Sequence, residues 1–128
     1  MIVVDSNVWI AFLHQNDSQH EKAETLLTEC EKPIVIPEYV LIEVATVLAQ
    51  KAGKEIANKF LAMSMKSKDI EVLFAQDQFF LEVAIFFRKY PGKNLSFIDV
   101  ALLYISQWYQ VATFDNHLAG ALKKFNAS

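Results

Sequence analysis

Four short runs rich in β-branched residues punctuate the chain: Ile2–Val4, Pro33–Ile36, Ile70–Leu73 and Val111–Phe114. Ile2–Val4, a continuous apolar run, matches a strand buried on both faces, as the strands of a parallel sheet read; Pro33–Ile36 and Val111–Phe114 read as further short strands and Ile70–Leu73 as a weak one. Parallel neighbours cannot be joined by a hairpin; they need a crossover, usually a helix. The intervals between the runs carry helical periodicity. This alternation specifies an α/β domain with a mainly parallel central sheet of about four to five strands, helices on both faces and right-handed crossovers. In such sheets ligands bind beyond the carboxyl ends of the strands, where strand order switches.

The helical intervals have their own punctuation. Asp5-Ser6-Asn7 are turn and cap residues, followed by the helical VWIAFLH. Ser18-x-x-Glu21 reads as a capping box opening a helix to about Cys30, with Ala23, Leu26 and Leu27 inward. Pro37 suits the first position of a helix that runs to a stop at Gly53. Helices are expected over Lys54 to about Met65 and Asp77 to Tyr90. Ser96 caps another from Phe97 to Tyr109, and a last one starts near His117.

Composition narrows the class. Gly and Pro number three each in 128 residues, too few for a disordered, collagen-like or turn-rich all-β chain. No linker or repeat divides the sequence, so one domain over 1–128 is expected. No apolar stretch reaches the ~18–20 residues of a membrane span. MIVVDSNV has no basic stretch and an acid at position 5, unlike a signal peptide. The lone Cys30 excludes a disulfide framework or a cysteine zinc cluster. Net charge is −3, but Lys51, Lys54, Lys59, Lys66 and Lys68 with one acid, Glu55, make a segment of +4. Two readings fit it: a solvated helix face, or a patch that contacts phosphates.

Most acids sit in polar company. Five do not. Asp5 follows IVV, Glu43 lies in YVLIEVATVLA, Glu82 in FFLEVAIFF, Asp99 in LSFIDVALLYI, and Asp115 follows VATF. A carboxylate in an apolar setting costs free energy unless it is paired or binds a metal. Asp5 and Asp115 each stand one residue past a strand, with Asn7 and Asn116 nearby; in a parallel sheet both project from the ligand edge. Turn and cap chemistry accounts for either one alone. Asp99 fits a capping box with Ser96, and Glu43, Thr46 and Gln50 fit a solvent stripe. Glu82, mid-helix, is not beside a strand end. Carboxylates that converged would raise one another's pKa, and a hard divalent cation with oxygen ligands relieves that. Mg²⁺ or Mn²⁺ in such a site activates water for displacement at phosphorus. The chain has no H-E-x-x-H, Walker A or G-x-G-x-x-G motif to suggest another chemistry.

Taken in order, IVVDSNVWI, PEYVLIEVATVL, LSFIDVALL and VATFDNHL resemble the successive motifs of PIN-domain ribonucleases, most closely the VapC type of toxin–antitoxin systems, from Ile2 to about Leu118. The resemblance implies a three-layer PIN-like fold and a Mg²⁺- or Mn²⁺-dependent endoribonuclease with one or two ions per site. It implies Asp5, Glu43 and Asp99 as principal ligands and Asp115 as a supporting acid or second-ion ligand. Ser6, Asn7, Thr113 and Asn116 are the polar neighbours. It further implies an RNA substrate, a cognate antitoxin, a cytoplasmic homodimer and no membrane association. Phe79, Phe80, Phe86, Phe87 and Tyr90 crowd one helix as core or as a dimer or antitoxin surface. The alternative is a catalytically silent PIN-like RNA-binding or scaffold domain. A phosphoacceptor receiver-like domain fits poorly: it needs Lys after the last strand, where this chain has Phe114-Asp115.

Overall fold

The computed structural model describes residues 1–127. Among these the chain forms four strands and seven helices in the order β1 (Ile2–Val4), α1 (Ser6–Leu13), α2 (His20–Glu29), β2 (Ile34–Pro37), α3 (Glu38–Lys51), α4 (Lys54–Lys66), β3 (Ile70–Leu73), α5 (Asp77–Lys89), α6 (Phe97–Ile105), β4 (Gln110–Ala112) and α7 (Asn116–Phe125). All strand pairs are parallel, and the sheet order is β3-β2-β1-β4. The chain thus builds outward from β1 in one direction, then returns to β1's other side. The switch in strand order falls at β1 and β4, and the crevice beyond their carboxyl ends is where a ligand site is expected. No helix among the described residues is long and apolar enough to cross a membrane.

Every side chain of β1 and β2 is buried, which is why both read as unbroken apolar runs. α1, α3 and α6 supply much of the remaining core: Val8 and Trp9, Val40, Val44 and Leu48, and Leu102 and Ile105. The aromatic crowding of α5 resolves into two faces. Phe79 and Phe86 are half-buried against Tyr39 and Tyr104, while Phe80 and Phe87 stay in solvent with Phe97. Only Val83 of this helix is fully buried. Glu82 explains itself as a structural tie. Its carboxylate accepts from Gln78 Nε2 at 3.0 Å and from the Tyr104 hydroxyl at 2.7 Å, bridging α5 to α6. Those two bonds hold Glu82 below its ordinary pKa, Gln78 contributing most.

Several expected boundaries move, each for a local reason. The Ser18–Glu21 capping box does not form. Asp17 takes the Gln19 N–H at 2.8 Å instead, an Asx turn with a charged acceptor, and α2 starts at His20. Pro37 is the last residue of β2 and the cap of α3, not its first turn. α6 stops at Ile105 rather than Tyr109. There the Ser106 hydroxyl donates to Leu103 O and Gln107 Nε2 to Tyr104 O, satisfying the helix's final carbonyls while the chain turns into β4. α7 starts at Asn116, capped by Asp115.

Gly53, between α3 and α4, has φ +101° and ψ 158°, a region essentially closed to residues with a Cβ. Gly120 lies inside α7 with open space where a Cβ would stand. Opposite effects follow. Gly53→Ala should lower unfolding free energy by about 1–3 kcal/mol. Gly120→Ala should raise it by about 0.5–1 kcal/mol. Urea denaturation of the two variants beside wild type reads both signs.

Candidate active site

Asp5 is the first residue beyond the central strand. Its backbone N–H donates to Ala112 O at 2.9 Å, extending the β1–β4 ladder one rung, and its carbonyl accepts from Val8 and Trp9 at the start of α1. The residue is therefore fixed between a strand and a helix, and only 3% exposed. Four groups hold its carboxylate. Oδ1 accepts from the Ser6 N–H at 2.7 Å and the Ser6 hydroxyl at 3.4 Å. Oδ2 accepts from the Thr113 hydroxyl at 2.8 Å and Asn7 Nδ2 at 3.3 Å.

Thr113 is the hub of this network. Its hydroxyl donates to Asp5, then accepts from Asn7 Nδ2 at 3.2 Å and from the Asp115 N–H at 3.0 Å. One donor and two acceptor positions exhaust a hydroxyl. Asn7 completes the clamp by accepting the Phe114 N–H at 3.0 Å through Oδ1. The side chains of β1's end are thereby laced to the chain leaving β4.

Asp5's carboxyl is pushed above the usual carboxylate range. Burial is the largest cause; the bonds from Thr113 and Ser6 oppose it, and the charges of Asp99 and Glu43 add to it. Glu43 on α3 and Asp99 on α6, both half-buried, thus share an electrostatic neighbourhood with Asp5. Asp99 also fulfils its capping role. Its N–H donates to Ser96 Oγ at 3.1 Å and its Oδ2 accepts the Ser96 N–H at 3.0 Å. The two readings of Asp99 coexist, because a cap engages one carboxylate oxygen and leaves the other. Asp115 caps α7, accepting from the His117 and Leu118 N–H groups through Oδ1. It joins the network through its backbone bond to Thr113, and the charges that raise Asp5 do not include it.

The structure does not bring every candidate together. Asn116 stands exposed on the first turn of α7, in a shallow hollow beside His117 and Lys93. Lys51, Lys54, Lys59, Lys66 and Lys68 are all exposed. Lys59 pairs with Glu55 at 3.7 Å on α4's surface. Lys66 and Lys68 flank the approach to β3, where Asp69 O accepts the Ile34 N–H at the amino end of the strands, opposite the acids. Sequence reasoning missed Tyr39. It lies one turn before Glu43 on α3, its phenol is raised by burial and by Asp5's charge, and its buried hydroxyl has no hydrogen-bond partner among the described residues. The i, i+4 spacing from Glu43 was the available signal.

The donor set has one character: carboxylates, with hydroxyl and amide support. Such oxygens suit Mg²⁺ or Mn²⁺ in kind. Among the described residues no group of three or more His, Cys, Asp or Glu side chains is set closely enough to hold a metal ion.

The model of the PIN-domain family matches residues 2–121. The chain belongs to the PIN-domain family. Its fold is similar to that of VapC20 from Mycobacterium tuberculosis, described as a sarcin–ricin loop cleaving toxin. The TM-score is 0.85 at 20% sequence identity, covering 94% of this chain and 95% of that one. Comparison with curated proteins finds no match.

Asp5's raised pKa sets a sign for stability. A carboxyl raised by folding contributes stability below its unfolded pKa of ~3.9 and loses it as pH rises through the folded value. In EDTA, the stability of wild type relative to Asp5→Asn should therefore fall as pH rises from ~4 towards neutrality. Urea unfolding across that range measures it; a difference independent of pH would contradict the assignment.

Proposed function

We propose that this PIN-domain chain is a metal-dependent endoribonuclease of the VapC type, the toxin half of a toxin–antitoxin pair. One observation carries the reading: the buried Asp5, at the switch in strand order, lies within electrostatic reach of Glu43 and Asp99. Its family membership and its likeness in fold to VapC20 support it.

Asp5, Glu43 and Asp99 would hold one or two Mg²⁺ or Mn²⁺ ions, with Asp115 the candidate for supporting acid or second-ion ligand. Such an ion supplies a lowered pKa for bound water and charge to offset an in-line displacement at phosphorus. The chain's own part is positioning. Ser6 and Thr113 fix the Asp5 carboxylate in one orientation, and Asn7 ties Thr113 to it. The Ser96 cap holds Asp99 by one oxygen, and the charge of Asp99 is felt at Asp5. Glu43 stands on α3 one turn after the half-buried Tyr39, whose hydroxyl is buried.

The same reading includes a cytoplasmic homodimer and a cognate antitoxin. The exposed face of Phe80, Phe87 and Phe97, which contact one another at ring separations of 5.0 and 5.9 Å, supports a homodimer contact. α5 begins with Asp77 and ends with Arg88 and Lys89, so a twofold antiparallel pairing would set opposite charges together. The lysines of residues 51–68 are read as a solvated face, because nothing ties them to the acids.

The decisive experiment offers a mixed RNA pool to purified protein shown by mass to carry no second chain. Wild type should make discrete cuts in Mn²⁺ or Mg²⁺ and none in EDTA. Asp99→Asn should be at least about a hundredfold slower, since a metal's charge stabilisation is worth several kcal/mol. Absence of metal-dependent cleavage by partner-free wild type would favour the silent RNA-binding or scaffold domain. Thr113 gives a separate test. Thr113→Val should slow cleavage about 10- to 100-fold, as loss of a group orienting a metal ligand does. Thr113→Ser, which keeps the hydroxyl, should stay near wild type.

A further inference from the structure

β4 is the last strand on its side of the sheet, and among the described residues no strand pairs with its outer edge. In a parallel ladder, alternate residues turn both their N–H and C=O to one side. Gln110 faces β1, donating to Met1 O at 3.3 Å, and Ala112 faces β1, its carbonyl accepting from Asp5 at 2.9 Å. Val111 between them therefore turns its N–H and C=O outward. An open groove of about 560 Å³ runs along this edge. Its floor is the chain from Gln110 to Phe114; one wall is Lys22 and Leu26 of α2, the other Ala119, Leu122 and Lys123 of α7. Sheet edge below and a helix on each side make a slot with the dimensions of one more strand, about five residues at ~3.3 Å each.

Charge selects the occupant. Among the described residues the only charged ones lining the slot are Lys22 and Lys123. Lys22 sits at the carboxyl end of β4, its Nζ 4.8 Å from the centre of the Phe114 ring. Lys123 is at the amino end, one turn before Asn126, whose Nδ2 donates to Ser106 Oγ at 3.2 Å. Between them the walls are apolar. A second copy paired edge to edge would bring lysines against lysines. We propose that the β4 edge takes an extended segment of a protein partner by strand addition, with an apolar centre and an acidic residue at each end. The inference stands on the slot alone and does not depend on the ribonuclease reading.

The test uses the acetylated, amidated pentapeptide EVIVE and its basic counterpart KVIVK, titrated into the full chain by amide-resolved NMR. EVIVE should perturb the Val111 and Thr113 amides and bind about tenfold or more tightly than KVIVK, from two favourable ion pairs replaced by two repulsive ones. The double variant K22E/K123E should reverse that order. Val111→Pro removes an outward N–H and no rung to β1, so it should abolish binding of both peptides; should it fail to fold, the charge reversal decides alone. Equal binding of the two peptides, or perturbation centred away from β4, overturns the proposal. So does protection of Val111 that tracks protein concentration and a doubled mass, which assigns the edge to a second copy. Competition at the same amides by a single-stranded oligonucleotide but not by EVIVE assigns it to nucleic acid and overturns it equally.

Discussion

The Thr113 hydroxyl's bond to Asp5 is the interaction on which the active-end geometry rests. A carboxylate 3% exposed at the tip of a fully buried strand is costly unless its lone pairs are met. Local residues meet Oδ1, because Ser6 follows directly and opens α1. Oδ2 takes its shorter bond from 108 residues away in sequence, beside a longer one from Asn7. That bond forms only if β4 lies beside β1 in the observed register, Val4 opposite Ala112. The polar network therefore reports on strand order, and strand order is what creates the crevice. The same bond explains why β4 ends at Ala112: Thr113 leaves the ladder to serve Asp5.

The network meets hydrogen-bonding needs without removing the charge problem. Asp5 remains raised despite its bonds, with Glu43 and Asp99 nearby and no lysine or arginine among the causes of its shift. Other carboxylates of the chain are held by groups of another kind, Glu82 by Gln78 and Tyr104 and Glu55 by Lys59. Leaving three acids to repel one another concentrates negative potential at one end of the sheet. It is a stability cost of the kind active sites carry. Caps make the cost bearable: Asp99 and Asp115 each commit an oxygen to a helix N-terminus, where a negative charge is favoured.

This double duty explains which parts were legible in the sequence. The strands were, because β1 and β2 are buried on both faces and have no polar side to blur the pattern. The isolated acids were, because a carboxylate after IVV or inside FIDVALL demands a reason. Capping and any further role could not be told apart from the sequence, since the cap on α6 engages one oxygen of Asp99 and leaves the other. The Ser18 capping box failed because Asp17, one residue earlier, offers a charged acceptor. The end of α6 was hidden because Trp108 and Tyr109 look like helix core, yet Trp108 is 64% exposed beyond the turn. The spacing of Tyr39 from Glu43 was readable but its burial was not, and the β4 slot depends on contacts between distant segments, which local periodicity does not carry.

The two edges of the sheet meet at Thr113 and Phe114. The carboxyl end carries the acids; the free side of β4 carries the slot. Thr113's side chain belongs to the first and its backbone to the floor of the second. Phe114 donates its N–H to Asn7, while its ring lies under Lys22 at the slot's end. An added strand on β4 would order the backbone on both sides of Thr113 and so restrict the orientation of the hydroxyl that holds Asp5. Asn7 makes a second link, donating to Asp5 Oδ2 at 3.3 Å while accepting the Phe114 N–H at 3.0 Å. The strand that supplies Asp5's long-range partner is thus also the one at the edge of the sheet.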